Sequence, residues 1–129
     1  MNNKHAELSR KKIYQADTKE TCNMDIRTQS VDRNLLVEFS GELDHHAAKN
    51  AIRELELVVD AALPRRLVLD FSGVTFMDSS GIALLLRAKR CMDDLDGSLQ
   101  VCRVQPQAKR VMDAAGIGRL IHIKQEGTV

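Results

Sequence analysis

"RLVLDFSGVTFMDSSGIALLLRAKR", Arg66–Arg90, contains a change of hydrophobic period that decides the fold. Arg65–Gly73 reads as a compact strand. Its aliphatic run Leu67–Leu69 predicts burial on both faces, as in the middle of a sheet. After "VTFMD" the spacing becomes helical. Taking about 100° per residue, Gly81, Leu84, Leu85, Ala88, Cys91, Met92 and Leu95 form one continuous stripe. The pattern predicts a helix over about Ser80–Leu95, entered directly from the strand.

The same alternation continues on both sides. Upstream, Ala48, Ala51, Ile52, Leu55, Val58, Val59 and Ala62 predict a helix from about His45 to Ala62. Asp44 is placed to cap it, its carboxylate accepting from free N–H groups of the first turn, and Pro64 ends it. Before that helix, Met24–Ser30 and Leu35–Gly41 flank the turn-prone "VDRN", which is the signature of a hairpin. Downstream, "DLDG" turns into a strand over Ser98–Val104. Pro106 then opens a third helix with Ala108, Val111, Met112 and Ala115 inward, Gly116 stops it, and Arg119–Lys124 is a last short strand or coil. This order predicts an α/β domain whose mixed, mostly parallel sheet is opened by a hairpin and flanked by amphipathic helices. The domain occupies residues 23–129. Residues 1–22 are a polar N-terminal extension in which Ala6–Ile13 has the makings of a short helix.

Composition narrows the function. At 129 residues, 43% hydrophobic and 29% charged, the chain suits one soluble domain. With no Trp and one Tyr the core must be aliphatic. A net charge of +1 gives no electrostatic reason to expect nucleic acid or an anionic membrane as partner. Three Phe and one Tyr also make a poor platform for stacking single-stranded bases. Cys22, Cys91 and Cys102 carry no metal-ligand spacing and are expected as reduced thiols, the latter two as core packing. The N-terminus lacks the apolar stretch of a signal peptide, and no run reaches transmembrane length, so the expected compartment is the cytoplasm.

The doublet Ser79–Ser80 has three readings. As a catalytic nucleophile it fails the elbow pattern, which needs glycine two residues before and two after: Ser79 has Met77 before it and Gly81 after, and Ser80 has Asp78 and Ile82. His5, His45, His46 and His122 supply no recognisable triad motif. As a helix cap, either Asp78 or Ser79 serves, at about 1 kcal/mol over alanine. Only one residue can hold that position, so Ser80 is left with a free hydroxyl. Gly81 in the first turn costs about 1 kcal/mol relative to Ala, and such a glycine is kept where a neighbour must come close.

The third reading is modification. Ile82 and Leu86 fall outside the core stripe, stacked at i and i+4, and together suggest a contact patch beside Ser80. That patch predicts that Ile82→Asp or Leu86→Asp abolishes partner binding with little change in stability. The competing reading buries both side chains against neighbouring elements. Phosphorylation at a helix N-terminus adds about −1.5 to −2 charges, which the helix dipole accommodates and a partner lying over the patch does not.

"GELDHHAAKNAIRELE" (Gly41–Glu56), the Arg66–Arg90 block and "VQPQAKRVMDAAGI" (Val104–Ile117) resemble STAS-domain anti-sigma factor antagonists, and "GELDHH" is most similar to the sporulation type of endospore-forming bacteria. The likeness spans roughly Met24–Val129, with D-S-S-G as its most specific part. It implies partner switching rather than enzymatic chemistry, with no cofactor. In that family an anti-sigma factor that is itself a serine kinase phosphorylates the serine preceding this glycine, here Ser80. A metal-dependent serine phosphatase reverses the modification, and the unmodified antagonist binds the anti-sigma factor and frees the sigma factor. The acidic residue of "GELD", here Asp44, takes part in partner contact. The binding surface so implied comprises Asp44, Asp78, Ser79, Gly81, Ile82 and Leu86. Two features depart from the pattern: the extension before the first strand, and "VMDAAG", where relatives often carry a larger apolar residue and a serine before the glycine.

Two rivals stay open. One is a STAS subunit docked constitutively on a transporter or scaffold, with Ser80 purely structural. The other is a small hydrolase using Ser79 or Ser80. His45–His46 diverge by about 100° on a helix and read as surface residues rather than a metal site. "RAKRCMDD" and "QAKR" read as solvated charged faces.

Overall fold

The hairpin forms as expected. In a computed structural model, which describes residues 13–14 and 24–124, β2 (Met24–Val31) pairs antiparallel with β3 (Asn34–Leu43). Asp32 and Arg33 join them with φ of 53° and 73°. Two successive left-handed residues give the turn whose twist matches the strands it connects. A two-residue edge strand, β1 (Ile13–Tyr14), pairs antiparallel with β2 through Ile13–Arg27 and Tyr14–Ile26, so the extension contributes to the sheet and Ile13 is strand rather than helix. The rest of the expected Ala6–Ile13 helix, and Cys22, lie outside the described residues.

β3, β4 and β5 are each followed by a helix, in the order α1 (His45–Ala62), β4 (Arg66–Met77), α2 (Ser80–Asp94), β5 (Ser98–Cys102), α3 (Pro106–Ala115), a 3-10 turn (Ile117–Arg119) and β6 (His122–Ile123). The sheet of six described strands runs β1-β2-β3-β4-β5-β6, with β3 to β6 parallel. Strand order therefore equals chain order. Right-handed crossovers taken always in one direction place their helices on one face of the sheet.

Burial follows from that. Leu35, Val37 and Phe39 of β3, Leu67, Leu69 and Phe71 of β4, and Val101 of β5 are buried beneath the helices. On the opposite face Arg27, Gln29 and Glu38 are exposed, while Leu36 and Val68 are half-buried. The expectation that β4 is buried on both faces is thus corrected: Val68 is half-buried on the side that none of the described helices covers. Strand boundaries also move, β3 reaching Leu43 instead of Gly41 and β6 covering only His122–Ile123. β4 continues past Gly73 to Met77, because β3 pairs with it as far as Leu43–Met77. β5 stops at Cys102 instead of Val104.

The core is aliphatic apart from Phe39 and Phe71, whose rings meet edge to face at 5.4 Å. α1 buries Ala47, Ala48, Ala51, Leu55, Val58 and Val59, and α2 buries Gly81, Leu84, Leu85, Ala88 and Met92. Leu95, assigned to the inner stripe, is exposed, since the helix has ended and the chain is turning toward Gly97. Cys91 and Cys102 are half-buried. Glu56 of α1 and Arg87 of α2 form an ion pair between the helices. Among the described residues, no helix is long and apolar enough to cross a membrane.

Candidate functional site

The parallel strands deliver two helix starts to one edge of the sheet. Leu43 ends β3 beside Met77, which ends β4, and the Asp78 N–H donates to the Leu43 carbonyl at 3.3 Å. The residues that follow, Asp44 and Asp78, are therefore brought together, and each begins a helix. Asp44 is extended, and its Oδ1 accepts from the Ala47 N–H at 3.0 Å, as its capping assignment required. Ligand and partner sites in α/β folds commonly lie outside such carboxyl ends.

At the start of α2 the choice left open between Asp78 and Ser79 is resolved. Asp78 Oδ1 accepts from the Ser80 N–H at 2.8 Å. Ser79 already has helical dihedrals and its side chain makes no capping bond. Asp78 thus caps, with Ser79 and Ser80 as the first two helical residues. Bonds from Gly81 N to Asp78 O at 2.9 Å and from Ile82 N to Ser79 O at 3.0 Å tighten the first turn. Neither serine hydroxyl hydrogen-bonds to another described residue. Ser79 is the exposed member of the pair and Ser80 is half-buried.

The remaining site residues divide. Gly81, expected on the partner surface, faces inward: a Cβ there would stand 2.6 Å from Met77 Cγ, 2.8 Å from Met77 Sδ and 3.1 Å from Leu43 Cδ2. Its small size seats α2 on the ends of β3 and β4. Leu86 is exposed at 44%, as the patch reading requires. Ile82 is half-buried and packs against the core, so it is not the free outward side chain that the helical wheel alone suggested. The reason is α3, which lies alongside. Between α2 and α3 is an open groove of about 450 Å³, walled by Ile82, Val111, Ala114 and Ala115, with Ser79, Gln107 and Arg110 as its polar members. Ala115, expected inward, is exposed on this groove.

Sequence reasoning missed two glutamines. β5 pairs with β4 only from Arg66 to Asp70, which leaves the outer end of β4 without a described strand on that side. Gln105 Nε2 donates to the Ser72 carbonyl at 2.6 Å. The Gln107 amide bonds both backbone groups of Met77: its Oε1 accepts from Met77 N–H at 2.8 Å, and its Nε2 donates to Met77 O at 2.9 Å. The available signal was "QPQ" at a helix start, a primary amide on either side of a proline that fixes the first turn.

The electrostatics are mild. Lys109–Asp113 at 3.1 Å and Lys89–Asp93 at 2.7 Å are pairs within a helix, and Arg110 has no ion-pair partner among the described residues. Burial, then the charges of Glu56 and Asp60, push the Cys91 thiol up. His45 and His46 are exposed, and no group of three metal-ligating side chains occurs among the described residues.

A two-layer domain with an acidic cap and an unbonded serine at the carboxyl end of its strands defines the class. The family model described as the STAS domain matches residues 25–126, and the chain belongs to that family. Two of its relatives are named for the same kind of role. It is 29% identical over 101 residues to an anti-sigma F factor antagonist of Paenibacillus polymyxa, covering 78% of this chain and 86% of the relative. It is 28% identical over 109 residues to an anti-sigma-B factor antagonist of Staphylococcus aureus, covering 82% of this chain and 96% of the relative. Among solved structures, the fold is similar to that of the anti-sigma factor antagonist SpoIIAA in its unphosphorylated form, with a TM-score of 0.67 at 24% identity over 78% of this chain and 89% of that one. The phosphorylated form of the Bacillus cell fate determinant SpoIIAA also matches, with a TM-score of 0.60 at 24% identity over 78% of this chain and 92% of that one.

Proposed function

We propose that this protein is an anti-sigma factor antagonist switched by phosphorylation of Ser80. The unmodified form binds an anti-sigma factor with serine kinase activity and so releases the sigma factor; phosphate on Ser80 ends the binding, and a serine phosphatase restores it. The kinase active site and its ATP belong to the partner, and the exchange takes place in the cytoplasm without direct contact to nucleic acid or membrane. The observation that carries this reading is the start of α2. There the D-S-S-G turn is capped by Asp78, so the Ser80 hydroxyl is spared from holding the fold, one residue after Ser79, which lines the α2–α3 groove. The names of the relatives support the partner class.

A phosphate on the second residue of a helix lies next to unsatisfied N–H groups and the positive end of the helix dipole, so the domain tolerates it. The partner meets a bulky dianion beside Asp78 and Asp44 and loses contact with the apolar patch. The effect is local repulsion and desolvation at the interface.

The test is to incubate the protein with its cognate anti-sigma kinase and ATP and to locate phosphate by mass spectrometry, with Ser80→Ala as control. A single phosphate on Ser80, absent from the variant, is the expected result. Phosphate on Ser79, or equal labelling of the variant, overturns the assignment. Constitutive binding of a partner that is indifferent to Ser80→Asp points to a permanently docked subunit. Turnover of a generic ester that depends on either serine returns the hydrolase.

A further inference from the structure

Where β5 ends, the outer stretch of β4 needs other partners for its backbone, because buried N–H and C=O groups without hydrogen bonds are costly. Met77 is fully buried, and its two backbone groups face away from β3. A glutamine side chain suits this position because its primary amide reproduces a peptide group, one acceptor and one donor. The Gln107 amide makes both bonds at ladder distances, 2.8 and 2.9 Å, and so takes the place of the missing strand at the last residue of β4. Asp78 follows Met77 directly, and Asp78 Oδ1 holds the Ser80 N–H. A chain of hydrogen bonds therefore runs from the first turn of α3, through Met77, to the turn that presents Ser80.

We infer that Gln107 is a positioning residue for the Asp78–Ser80 turn: by clamping both backbone groups of Met77 it sets the height and direction of the start of α2. Its bearing on phosphotransfer rests on the reading of Ser80 as phosphoacceptor, whereas its hold on the turn does not. Glutamate cannot replace it, since a carboxylate offers the Met77 carbonyl no proton. Leucine keeps the volume and forms neither bond. Gln105, which reaches Ser72 further back along β4, is the matched control.

The experiment uses the full chain as wild type, Gln107→Leu, Gln107→Glu and Gln105→Leu, and reads amide hydrogen exchange residue by residue together with the kinetics of Ser80 phosphorylation by the cognate kinase. Gln107→Leu is expected to speed exchange about tenfold or more at Met77 and also at Ser80, with the melting temperature down by only a few degrees. kcat for phosphotransfer is expected to fall about tenfold while KM for the protein stays within about threefold, since misplacement acts on the reacting geometry. Gln107→Glu behaves alike, which keeps the test open if the leucine variant folds poorly. Gln105→Leu leaves both amides and kcat at wild-type values.

Faster exchange at Met77 with Ser80 exchange and kcat unchanged overturns the inference, as does an equal effect from Gln105→Leu. Should wild type accept no phosphate on Ser80, the functional reading fails alone. The exchange measurement then decides the role of Gln107 by itself: Ser80 exchange that follows Met77 exchange supports it, and Ser80 exchange that does not overturns it.

Discussion

Asp44 and Asp78 perform the same task at neighbouring helix starts, each placing a carboxylate oxygen on a backbone N–H that the helix leaves free. Asp44→Ala should lower the unfolding free energy by about 1 kcal/mol, measured by urea denaturation. Asp44→Asn should keep it within a few tenths, since asparagine caps equally well. A loss of partner affinity in the asparagine variant at unchanged stability then isolates the charge as a contact, apart from the cap. Cys91 gives a pH prediction. Its folded-state pKa lies above the ordinary thiol value, chiefly through burial, so the native state keeps the proton longer than the unfolded chain does. Unfolding free energy should therefore fall as pH rises past the ordinary thiol range, and Cys91→Ala should flatten that fall. In the folded protein, alkylation of Cys91 should also be slower than in urea at the same pH.

At the scale of elements, the two residues of the outward patch part company. Leu86→Asp, on an exposed position, should change stability by no more than about 0.5 kcal/mol. Ile82→Asp, which drives a charge into the wall of the groove, should cost about 1–2 kcal/mol; urea titration of both variants checks the difference. In the hairpin, Arg33 bears a φ of 73°, so Arg33→Gly should stabilise by about 0.5–1 kcal/mol in the same assay, since its side chain makes only an exposed bond to the Leu63 carbonyl.

These contrasts mark what the sequence could tell. The helices of the β–α pairs were legible because each writes its own signals locally: a stripe at 3.6 spacing, Asp44 as cap, Pro106 at the start of α3 and Gly116 in the left-handed conformation at its end. A helical wheel turns Ile82 outward because it describes one helix, whereas its burial depends on α3 packing beside it. Gln107 is invisible for a similar reason: its partner lies 30 residues away in the chain, at the end of a strand that continues beyond Gly73. Asp78 and Ser79 are equal candidates by residue type, and what separates them is the bond from Ser80 N–H to Asp78 together with the helical dihedrals of Ser79.

At the scale of the whole molecule, one core cluster draws on β2, β3, β4 and β5 and on all three described α-helices. Unfolding should accordingly be a single cooperative transition, with helix loss by circular dichroism and loss of amide protection falling on one urea curve. An early loss of α3 alone would break that coincidence. Strand order has a further consequence, for how the molecule is made. Each strand from β2 to β6 lies next to the strand that precedes it in the chain, so no later segment has to be threaded between two already placed. A chain leaving the ribosome can lay down its sheet in the order of translation, each new strand meeting a finished edge and each helix closing over it. The serine turn is built when β4 docks on β3, and its last support arrives only with α3, after β5 has been laid down.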